Sequence, residues 1–210
     1  MSPISRTTSA VAAAAALALS LTACEELVTQ AGSRLSQTAD YDPTDVGSVD
    51  HALCLLGFSG FPMTKLVTGH HLVEVSLNGQ PARFIVDTGA NATVMHAPYA
   101  EDYGLGEARG LPAVAVGIGG GGQARQYGVD SLSLGDVTLR QGSILATDLS
   151  QLTEVLGPLS GGQITGLLGG DVLSEHRAVI DVARPLLFLI PGDGAPAPVD
   201  AAACKVDAAS

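Results

Sequence analysis

The chain has 210 residues, of which 46% are hydrophobic and only 15% are charged, so it can bury a core and is not broadly disordered. It carries 10 basic and 21 acidic residues, a formal net charge of −11, and it has no Trp. Nucleic-acid binding depends on Lys and Arg side chains that neutralise phosphates, so this composition predicts no nucleic-acid partner. Aromatic residues are only 4% of the chain, so the core must be mainly aliphatic.

Residues 1–23 have the pattern of a secretion signal. Arg6 precedes the apolar run "AVAAAAALALSL", which is too short to span a bilayer comfortably. The run ends in "LTAC", which resembles the bacterial lipobox, in which Cys24 is lipidated and becomes the new N-terminus. The alternative is an alanine-rich helix with an incidental cysteine. We expect an exported protein, lipid-anchored at the periplasmic face of the bacterial envelope, and Glu25 favours the outer over the inner membrane.

The segments on either side of the central region have few structural signals. Residues 24–62 are polar and then mixed, which predicts a tether in which "HALCLLGF" can dock on the domain. Residues 192–210 are rich in Pro and Ala and predict a C-terminal tail. An export compartment permits a disulfide between Cys54 and Cys204, and two free or buried thiols are the alternative.

Residues 63–191 carry the signals of β-hairpins. Apolar residues alternate in "HLVEVSLNGQPARFIVD" on both sides of Asn78-Gly79, a dipeptide that tolerates positive φ and is typical of a tight hairpin turn. The segment "AVAVGIGGGGQARQYGV" predicts a strand, a glycine loop and a return strand, and "VDSLSLGDVTL" predicts a hairpin around Gly135-Asp136. The segment "AVIDVARPLLFLI" predicts two final strands.

Two short segments of this region favour helices. "ILATDLSQLTEVLG" predicts a short helix that is capped by Asp148 or Ser150 and ends at Gly157-Pro158, and "GGDVLSEH" allows one helical turn. Hairpins without βαβ units indicate an all-β, antiparallel, barrel-like domain with one or two short helices.

An aspartate, Asp87, closes the apolar run Phe84, Ile85, Val86, although a strand interior disfavours a carboxylate. The segment "FIVDTGANATVM", with Asp87-Thr88-Gly89-Ala90, resembles the active-site segment of retropepsin-like (retroviral-type) aspartic peptidases. The hairpin before it, "GLLGGDVL" after it and the final strands resemble the same family. The alternative is that Asp87 only caps a turn. The resemblance implies a single-lobed acid-protease barrel over residues 63–191.

The resemblance implies an aspartic endopeptidase with Asp87, Thr88 and Gly89 as catalytic residues. Two carboxyls that share one proton can activate a water and support the substrate carbonyl, because like charges so close cannot both ionise cheaply. The chain has one D-T-G and no D-S-G, and Asp181 lacks a following Thr-Gly. The second carboxyl must therefore come from a second chain, which predicts a homodimer acting on a peptide or protein substrate, with no cofactor.

The family also implies roles for the neighbouring residues. The N–H of Gly89 can donate to the carboxylate, and Thr88 would hydrogen-bond across the twofold axis. Ala90, Leu167, Leu168 and Gly169 would support the site, with Gly169 letting the Leu167-Leu168 strand pass close beneath the loop. Ala90 lacks the hydroxyl of the serine common in pepsin-like enzymes, which implies activity nearer neutral pH.

The glycine-rich segment occupies the place of the substrate-binding flap, with the residues Gly117, Ile118, Gly119, Gly120, Gly121 and Gly122. The string also fits the dinucleotide fingerprint G-x-G-x-x-G, but that motif needs a long helix next, where this chain alternates as a strand does. A loose hairpin tip is a further alternative. The five His have no metal-ligand spacing, so we expect no metal site.

Two hypotheses of another class stay open at this stage. The fold could serve as a catalytically weak peptide-binding module of the envelope. It could also be a structural lipoprotein whose dimer is the function.

Overall fold

The computed structural model describes residues 37–108, 113–117, 120–192 and 195–205, with residues 37, 113–117 and 120–122 described through their backbone alone. Strands dominate the described part and the helices are few and short, which confirms the predicted mostly-β fold class. The predicted signal peptide and Cys24 lie outside the described residues.

The described elements are fifteen strands, three α-helices and two 3₁₀-helices. In chain order the strands are β1 (Gln37–Thr38), β2 (Ser59–Pro62), β3 (Thr64–Lys65), β4 (His71–Leu77), β5 (Gln80–Val86), β6 (Val94–His96), β7 (Gly106–Glu107), β8 (Ala113–Gly117), β9 (Gly120–Gly128), β10 (Leu132–Leu134), β11 (Val137–Thr138), β12 (Ser143–Thr147), β13 (Gly166–Leu168), β14 (Val179–Asp181) and β15 (Leu186–Leu189). The helices are α1 (Val49–Leu55), α2 (Ser150–Leu156) and α3 (Gly170–Glu175), with 3₁₀ turns at Ala97–Tyr99 and Ala201–Ala203. Twelve strands form one sheet, and the other three form a second sheet in the order β14-β15-β2.

Turn chemistry accounts for the predicted hairpins, which the structure confirms. Strands β4 and β5 pair antiparallel and are joined by Asn78, with φ 49°, and Gly79, with φ 79°. Both residues are therefore in the left-handed region that a tight primed turn requires. The Asn78 carboxamide oxygen also accepts from the N–H groups of Asp130 and Ser131, both at 3.0 Å, which holds this turn against the chain entering β10. Strands β10 and β11 turn at Gly135.

Two strand pairs are parallel, which differs from the purely antiparallel arrangement predicted. Strand β13 pairs parallel with β5 and antiparallel with β6, so it lies between two strands that are close in sequence. Strand β12 pairs parallel with β6. The prediction was wrong on this point because turn residues specify neighbouring hairpins, whereas β13 returns from about eighty residues further along the chain.

The core is aliphatic, as the composition predicts, and divides into clusters. The main cluster includes the fully buried Val73, Leu77, Phe84 and Met95 from β4, β5 and β6. A second cluster lies under α2 and consists of Leu66, Leu72, Ile85, Leu156 and Ile164. The predicted helix is thus confirmed over Ser150–Leu156, with Asp148 accepting from the Ser150 N–H at 2.9 Å and Gly157 at its C-terminal end.

The segment predicted as a tether up to residue 62 is partly folded, which corrects the predicted boundary. Helix α1 begins after Ser48, whose hydroxyl accepts from the His51 N–H at 3.1 Å. Strand β2 then pairs antiparallel with β15. Phe58 is buried against β15 and Leu53 packs on the same cluster, whereas Val49 and Leu56 are 53% and 42% exposed. Because apolar residues of this segment occur both on covered and on exposed positions, sequence periodicity missed the helix.

The C-terminal segment packs on the same region, so part of the predicted tail is also folded. The N–H of Ala197 donates to the carbonyl of Leu56 at 3.1 Å. Cys204 forms a disulfide with Cys54, and both are buried. We call residues 37–58 together with 195–205 the terminal cover.

A buried ion pair also joins the terminal cover to the second sheet. Asp50 is only 2% exposed, and its carboxylate accepts from Arg184 at 2.6 Å and from the Asp42 N–H at 3.0 Å. The hydrogen bond to Asp50 is the main cause that raises the pKa of Arg184. Removing Arg184 would leave the buried Asp50 carboxylate with an uncompensated charge, whereas Arg184 is partly exposed and also pairs with Asp181. The pair ties α1 to the turn before β15. Among the described residues, no helix combines the length and the apolar character needed to cross a membrane.

The disulfide generates a prediction about stability. It links residues 150 positions apart, so it removes much of the conformational freedom of the unfolded chain. Replacing both cysteines (Cys54→Ser with Cys204→Ser) should lower the free energy of unfolding by about 2–5 kcal/mol. Urea denaturation under oxidising conditions measures this, and wild type and variant should coincide once reductant is added. Equal stability of the two proteins without reductant would contradict the prediction.

Candidate active site

Asp87 lies where β5 ends, at the start of a loop that we call the active-site loop, residues 87–93. Its N–H still donates to the carbonyl of Leu168 in β13 at 3.0 Å. Strand pairing therefore fixes the backbone of Asp87, while its half-buried side chain leaves the sheet. Because β5 ends at Val86, the Asp87 carboxylate lies beyond the strand and is not buried in the core.

The first turn of the active-site loop holds the carboxylate in one orientation. The N–H of Gly89 donates to Asp87 Oδ1 at 2.9 Å, and the N–H of Ala90 donates to the Asp87 carbonyl at 3.3 Å. A Cβ on residue 89 would lie 3.2 Å from the same Oδ1, so glycine leaves room for this contact. Among the described residues, the bond from Gly89 is the only hydrogen bond that the Asp87 carboxylate makes.

Two glycines allow β13 to pass between β5 and β6 at very close range. A Cβ on Gly166 would collide with the carbonyl oxygen of Val94, and one on Gly169 would collide with the carbonyl of Ala92. The second would also lie only 2.8 Å from the backbone nitrogen of Thr93. Because the obstructing atoms are backbone, neither contact can be relieved by a rotamer change. Gly169 thus lies close beneath the active-site loop.

The start of α3 is hydrogen-bonded to the same loop. The N–H of Gly170 donates to the carbonyl of Ala90 at 2.7 Å, and the N–H of Asp171 donates to that of Asn91 at 3.1 Å. The first N–H groups of a helix have no carbonyl partner within the helix. Here two of them, those of Gly170 and Asp171, donate to carbonyls of the loop. The loop and the helix therefore hold each other in place.

A carboxylate that sequence reasoning missed supports the active-site loop from below. Asp171 accepts from the Thr93 N–H at 2.9 Å and from the Thr93 hydroxyl at 2.7 Å. Gln141 donates to the same carboxylate at 2.9 Å, and the Thr93 hydroxyl oxygen accepts from the Gly169 N–H at 3.1 Å. This network joins the Thr93 end of the loop to the start of α3. The sequence contained one indication of this role: Asp171 follows two glycines and precedes an apolar helical turn, and aspartate is preferred at helix starts.

The glycine-rich segment forms the predicted hairpin. Strand β8 pairs antiparallel with the first part of β9, with Gly117 opposite Gly120 and Val116 opposite Gly121. Gly122 also lies in β9, while Ile118 and Gly119 lie outside the described residues. Because the last three of these glycines begin the nine-residue strand β9, where the dinucleotide fingerprint needs a helix, that alternative is wrong.

A recess of about 360 Å³ opens beside the active-site loop. Thr88 contributes to it from the loop, and its exposed hydroxyl has no hydrogen-bond partner among the described residues. The other contributions come from α3, the turn after it and β14, through Gly170, Leu173, Ser174, Arg177, Ala178 and Ile180. The surface next to the catalytic candidates is therefore concave and open.

The other titratable candidates have structural roles. Asp181 accepts from the N–H groups of Ala183 and Arg184, both at 3.0 Å, and the bonds from Arg184 are the main cause that lowers the pKa of Asp181. It therefore caps the turn between β14 and β15. Buried His176 accepts from the Arg140 N–H at 2.9 Å and lies 2.9 Å from the Ile190 carbonyl, so both ring nitrogens are satisfied. No group of three or more His, Cys, Asp or Glu that could hold a metal occurs in the described part of the chain.

The sequence from β4 to α3 matches a known family. Residues 73–172 match the family model described as aspartyl protease. This region is thus similar to aspartyl proteases. The matched region contains Asp87-Thr88-Gly89, the glycine-rich hairpin and the Leu167-Leu168-Gly169 segment, and it ends before β14.

Two solved structures are similar to this chain. A retropepsin-like aspartic protease from Rickettsia conorii has 20% sequence identity and a TM-score of 0.44, with 63% of this chain and 90% of that chain covered. The EIAV protease, complexed with an inhibitor, has 18% identity and a TM-score of 0.38, with 52% of this chain and 90% of that chain covered. No curated protein matches the sequence significantly.

The close passage of β13 generates a prediction. Replacing Gly169 by Ala should lower the free energy of unfolding by about 3 kcal/mol or more, because the new Cβ meets immovable backbone. Gly142→Ala is the matched control, since a Cβ there meets nothing within 4 Å, and its effect should stay within about 0.5 kcal/mol. Chemical denaturation of both variants checks the difference. Similar stability of the two variants would show that the loop and β13 are further apart than the structure has them.

Proposed function

We propose that the protein is an aspartic endopeptidase that hydrolyses peptide bonds as a homodimer, with one Asp87 carboxyl contributed by each chain. The observation that carries the proposal is the placement of Asp87. It stands at the end of a strand, its carboxylate is oriented by the Gly89 N–H at 2.9 Å, and the adjacent Thr88 is exposed with a free hydroxyl on an open surface of the described residues. The family match supports the reaction class.

The chemistry follows from two carboxyls that share one proton. The ionised carboxyl takes a proton from water as the water oxygen attacks the carbonyl carbon of the peptide bond. The protonated carboxyl donates its proton to the carbonyl oxygen, which gives a neutral tetrahedral diol. Transfer of a proton to the peptide nitrogen then allows the carbon–nitrogen bond to break, and the products are a carboxylic acid and an amine. The sum is the addition of one water, and no metal or cofactor takes part.

A second chain is required because one chain supplies one suitable carboxyl. The sequence contains a single D-T-G, and Asp181, the next candidate, is engaged by Arg184 and the turn before β15. A twofold axis beside Thr88 would place two copies of Asp87 next to each other, as an isologous contact does. The open surface at Thr88 is compatible with such an axis.

The glycine-rich hairpin of β8 and β9 suits an extended peptide substrate. Four of its residues on the described backbone, Gly117, Gly120, Gly121 and Gly122, carry no side chain that would keep another strand away. A peptide bound as an added strand gains main-chain hydrogen bonds with little dependence on its sequence. We propose that this hairpin is the flap that covers the substrate.

Cleavage of a peptide library tests the proposed activity. Asp87→Asn should reduce hydrolysis at least about a thousandfold, because an amide cannot serve as the base or share the proton. Asp102→Asn is the matched control, since it makes the same chemical change in an exposed turn and should leave the rate unaltered. If wild-type protein binds peptides but cleaves none, the fold serves as a peptide-binding or structural module.

Mixing the two forms tests whether the site is shared. When wild type is mixed with an equal amount of Asp87→Asn and allowed to reassociate, random pairing should reduce activity per wild-type chain to about one half. Unchanged activity per chain would mean that each copy works alone, which would contradict the shared site.

We also propose that the mature protein is exported and anchored by lipid at Cys24 in the bacterial envelope. The lipobox-like "LTAC" and the Cys54–Cys204 disulfide support this location, since disulfides persist in oxidising compartments. Anchoring would confine copies to one surface and raise their effective concentration for pairing.

Mass spectrometry of the mature N-terminal peptide should find an acylated Cys24, and the acyl mass should disappear in Cys24→Ala. A mature protein that keeps residues 1–23 would contradict the proposed lipid anchor.

A further inference from the structure

Thr93, at the end of the active-site loop, is a fully buried polar residue. Its N–H and its hydroxyl both donate to the carboxylate of Asp171, at 2.9 and 2.7 Å. Because a buried polar group without a partner costs free energy, the position of Thr93 depends on Asp171. The N–H of Asp171 also donates to the carbonyl of Asn91 at 3.1 Å, so Asp171 contacts the loop at two points.

The Asp171 carboxylate accepts four hydrogen bonds, two on each oxygen. Oδ2 accepts from the Thr93 N–H and from the Gln141 carboxamide, both at 2.9 Å. Oδ1 accepts from the Thr93 hydroxyl at 2.7 Å and from the Val172 N–H at 2.8 Å. Each oxygen therefore faces one backbone N–H group. An Asn at this position would turn one oxygen into an NH2 donor, and either orientation of its carboxamide would bring two donors together.

Helix capping alone does not account for this arrangement. The carboxylate accepts from Val172 in the first turn of α3, but its other bonds come from Thr93 and Gln141. Asn and Asp are about equally favourable as caps at a helix start. A residue that only capped α3 could therefore be Asn, whereas the contacts with Thr93 and Gln141 require two accepting oxygens.

Gln141 extends these contacts toward the glycine-rich hairpin. Its carboxamide nitrogen donates to Asp171 and also to the carbonyl of Ser143, the first residue of β12, at 2.6 Å. Strand β12 pairs antiparallel with β9, the return strand of the hairpin. The Gln126 side chain in β9 in turn donates to the Ser143 hydroxyl at 2.7 Å. Asp171 thus links the active-site loop to the strand pair that includes the return strand of the proposed flap.

We propose that Asp171 is a positioning residue of the proposed reaction. Through Thr93 and Gln141 it fixes the path of the active-site loop against α3 and β12, and the loop directs the Asp87 carboxylate. The inference rests on the proposed function, because it gives Asp171 a part in the rate of that reaction. The Asp87 carboxylate takes its direction from the Gly89 N–H of the same loop, so a shift of the loop shifts the carboxylate. A misplacement of about 1 Å can cost a catalytic site about a hundredfold in rate.

Steady-state kinetics on a cleavable peptide test this role. Asp171→Asn should lower kcat by about ten- to a hundredfold and change KM by less than about threefold, because the loop moves while the other substrate contacts stay. Thr93→Val should lower kcat similarly, and the double variant should be no slower than the slower single variant, since the two residues act as one unit. Thr93→Ser keeps the hydroxyl and should be at least about fivefold faster than Thr93→Val.

Asp50→Asn is the matched control. It makes the same chemical change at a buried, hydrogen-bonded carboxylate in the terminal cover. Assayed where the variant is folded, its kcat should stay within about twofold of wild type, because only the terminal cover loses a contact.

Hydrogen exchange of backbone amides tests the positioning without measuring activity. In Asp171→Asn the N–H groups of Thr93, Gly169 and Gly170 should exchange at least about tenfold faster than in wild type, because the loop opens locally. The N–H groups of α1 should exchange at the wild-type rate. If Asp171→Asn does not fold, Gln141→Leu carries the same test, since it removes one of the donors from a half-buried position. It should lower kcat and speed exchange by at least about threefold.

The outcomes separate this inference from the proposed function. If Asp171→Asn keeps the wild-type kcat and exchange rates, Asp171 only begins α3 and the inference is overturned. If kcat falls while the loop amides exchange as in wild type, the loss does not come from the position of the loop, and the inference is again overturned, while the part of Asp87 stands. A wild type that cleaves no peptide would overturn the proposed function, and the exchange rates alone would then support or overturn the positioning of the loop by Asp171.

Discussion

The position of the candidate catalytic group depends on one close backbone contact. Strand β13 passes between β5 and β6 at a separation that only glycine allows at residues 166 and 169. This insertion gives Asp87 its backbone partner at Leu168 and places Thr93 within reach of Gly169. The loop between them is therefore fixed at both ends by the same strand. A carboxylate at this place has a defined direction without being buried in the core.

The inner side of the active-site loop is held by hydrogen bonds, whereas its outer side is exposed. On the inner side, Asp171 and Thr93 satisfy one another's polar groups, and the N–H groups at the start of α3 donate to loop carbonyls. On the outer side, Thr88 is exposed beside a recess, and the carboxylate of Asp87 has one hydrogen bond among the described residues. Such a loop is rigidly supported and incompletely covered. This asymmetry is what a site completed by a second molecule needs, because the support must exist before the partner arrives.

Local chemistry made some features predictable from the sequence and left others hidden. The Asn78-Gly79 turn requires positive φ at both residues, so its hairpin followed directly, and the run before Asp87 located the end of β5. The insertion of β13 joins segments about eighty residues apart, and no turn residue encodes it. Helix α1 was hidden because its apolar residues give no helical period, with Cys54 buried in the disulfide and Val49 exposed. The Thr93–Asp171 network depends on folded proximity, which periodicity and motif spacing do not contain.

The central claim is that one reaction centre forms from two chains. Active-site titration tests it most directly, with a tight-binding peptide isostere whose hydroxyl occupies the place of the attacking water and mimics the tetrahedral intermediate. The account predicts complete inhibition at about one inhibitor for every two chains, since the twofold axis passes through a single site. Complete inhibition at one inhibitor for every chain would show that each subunit holds a whole site, and the account of Asp87 as half of a pair would then be wrong.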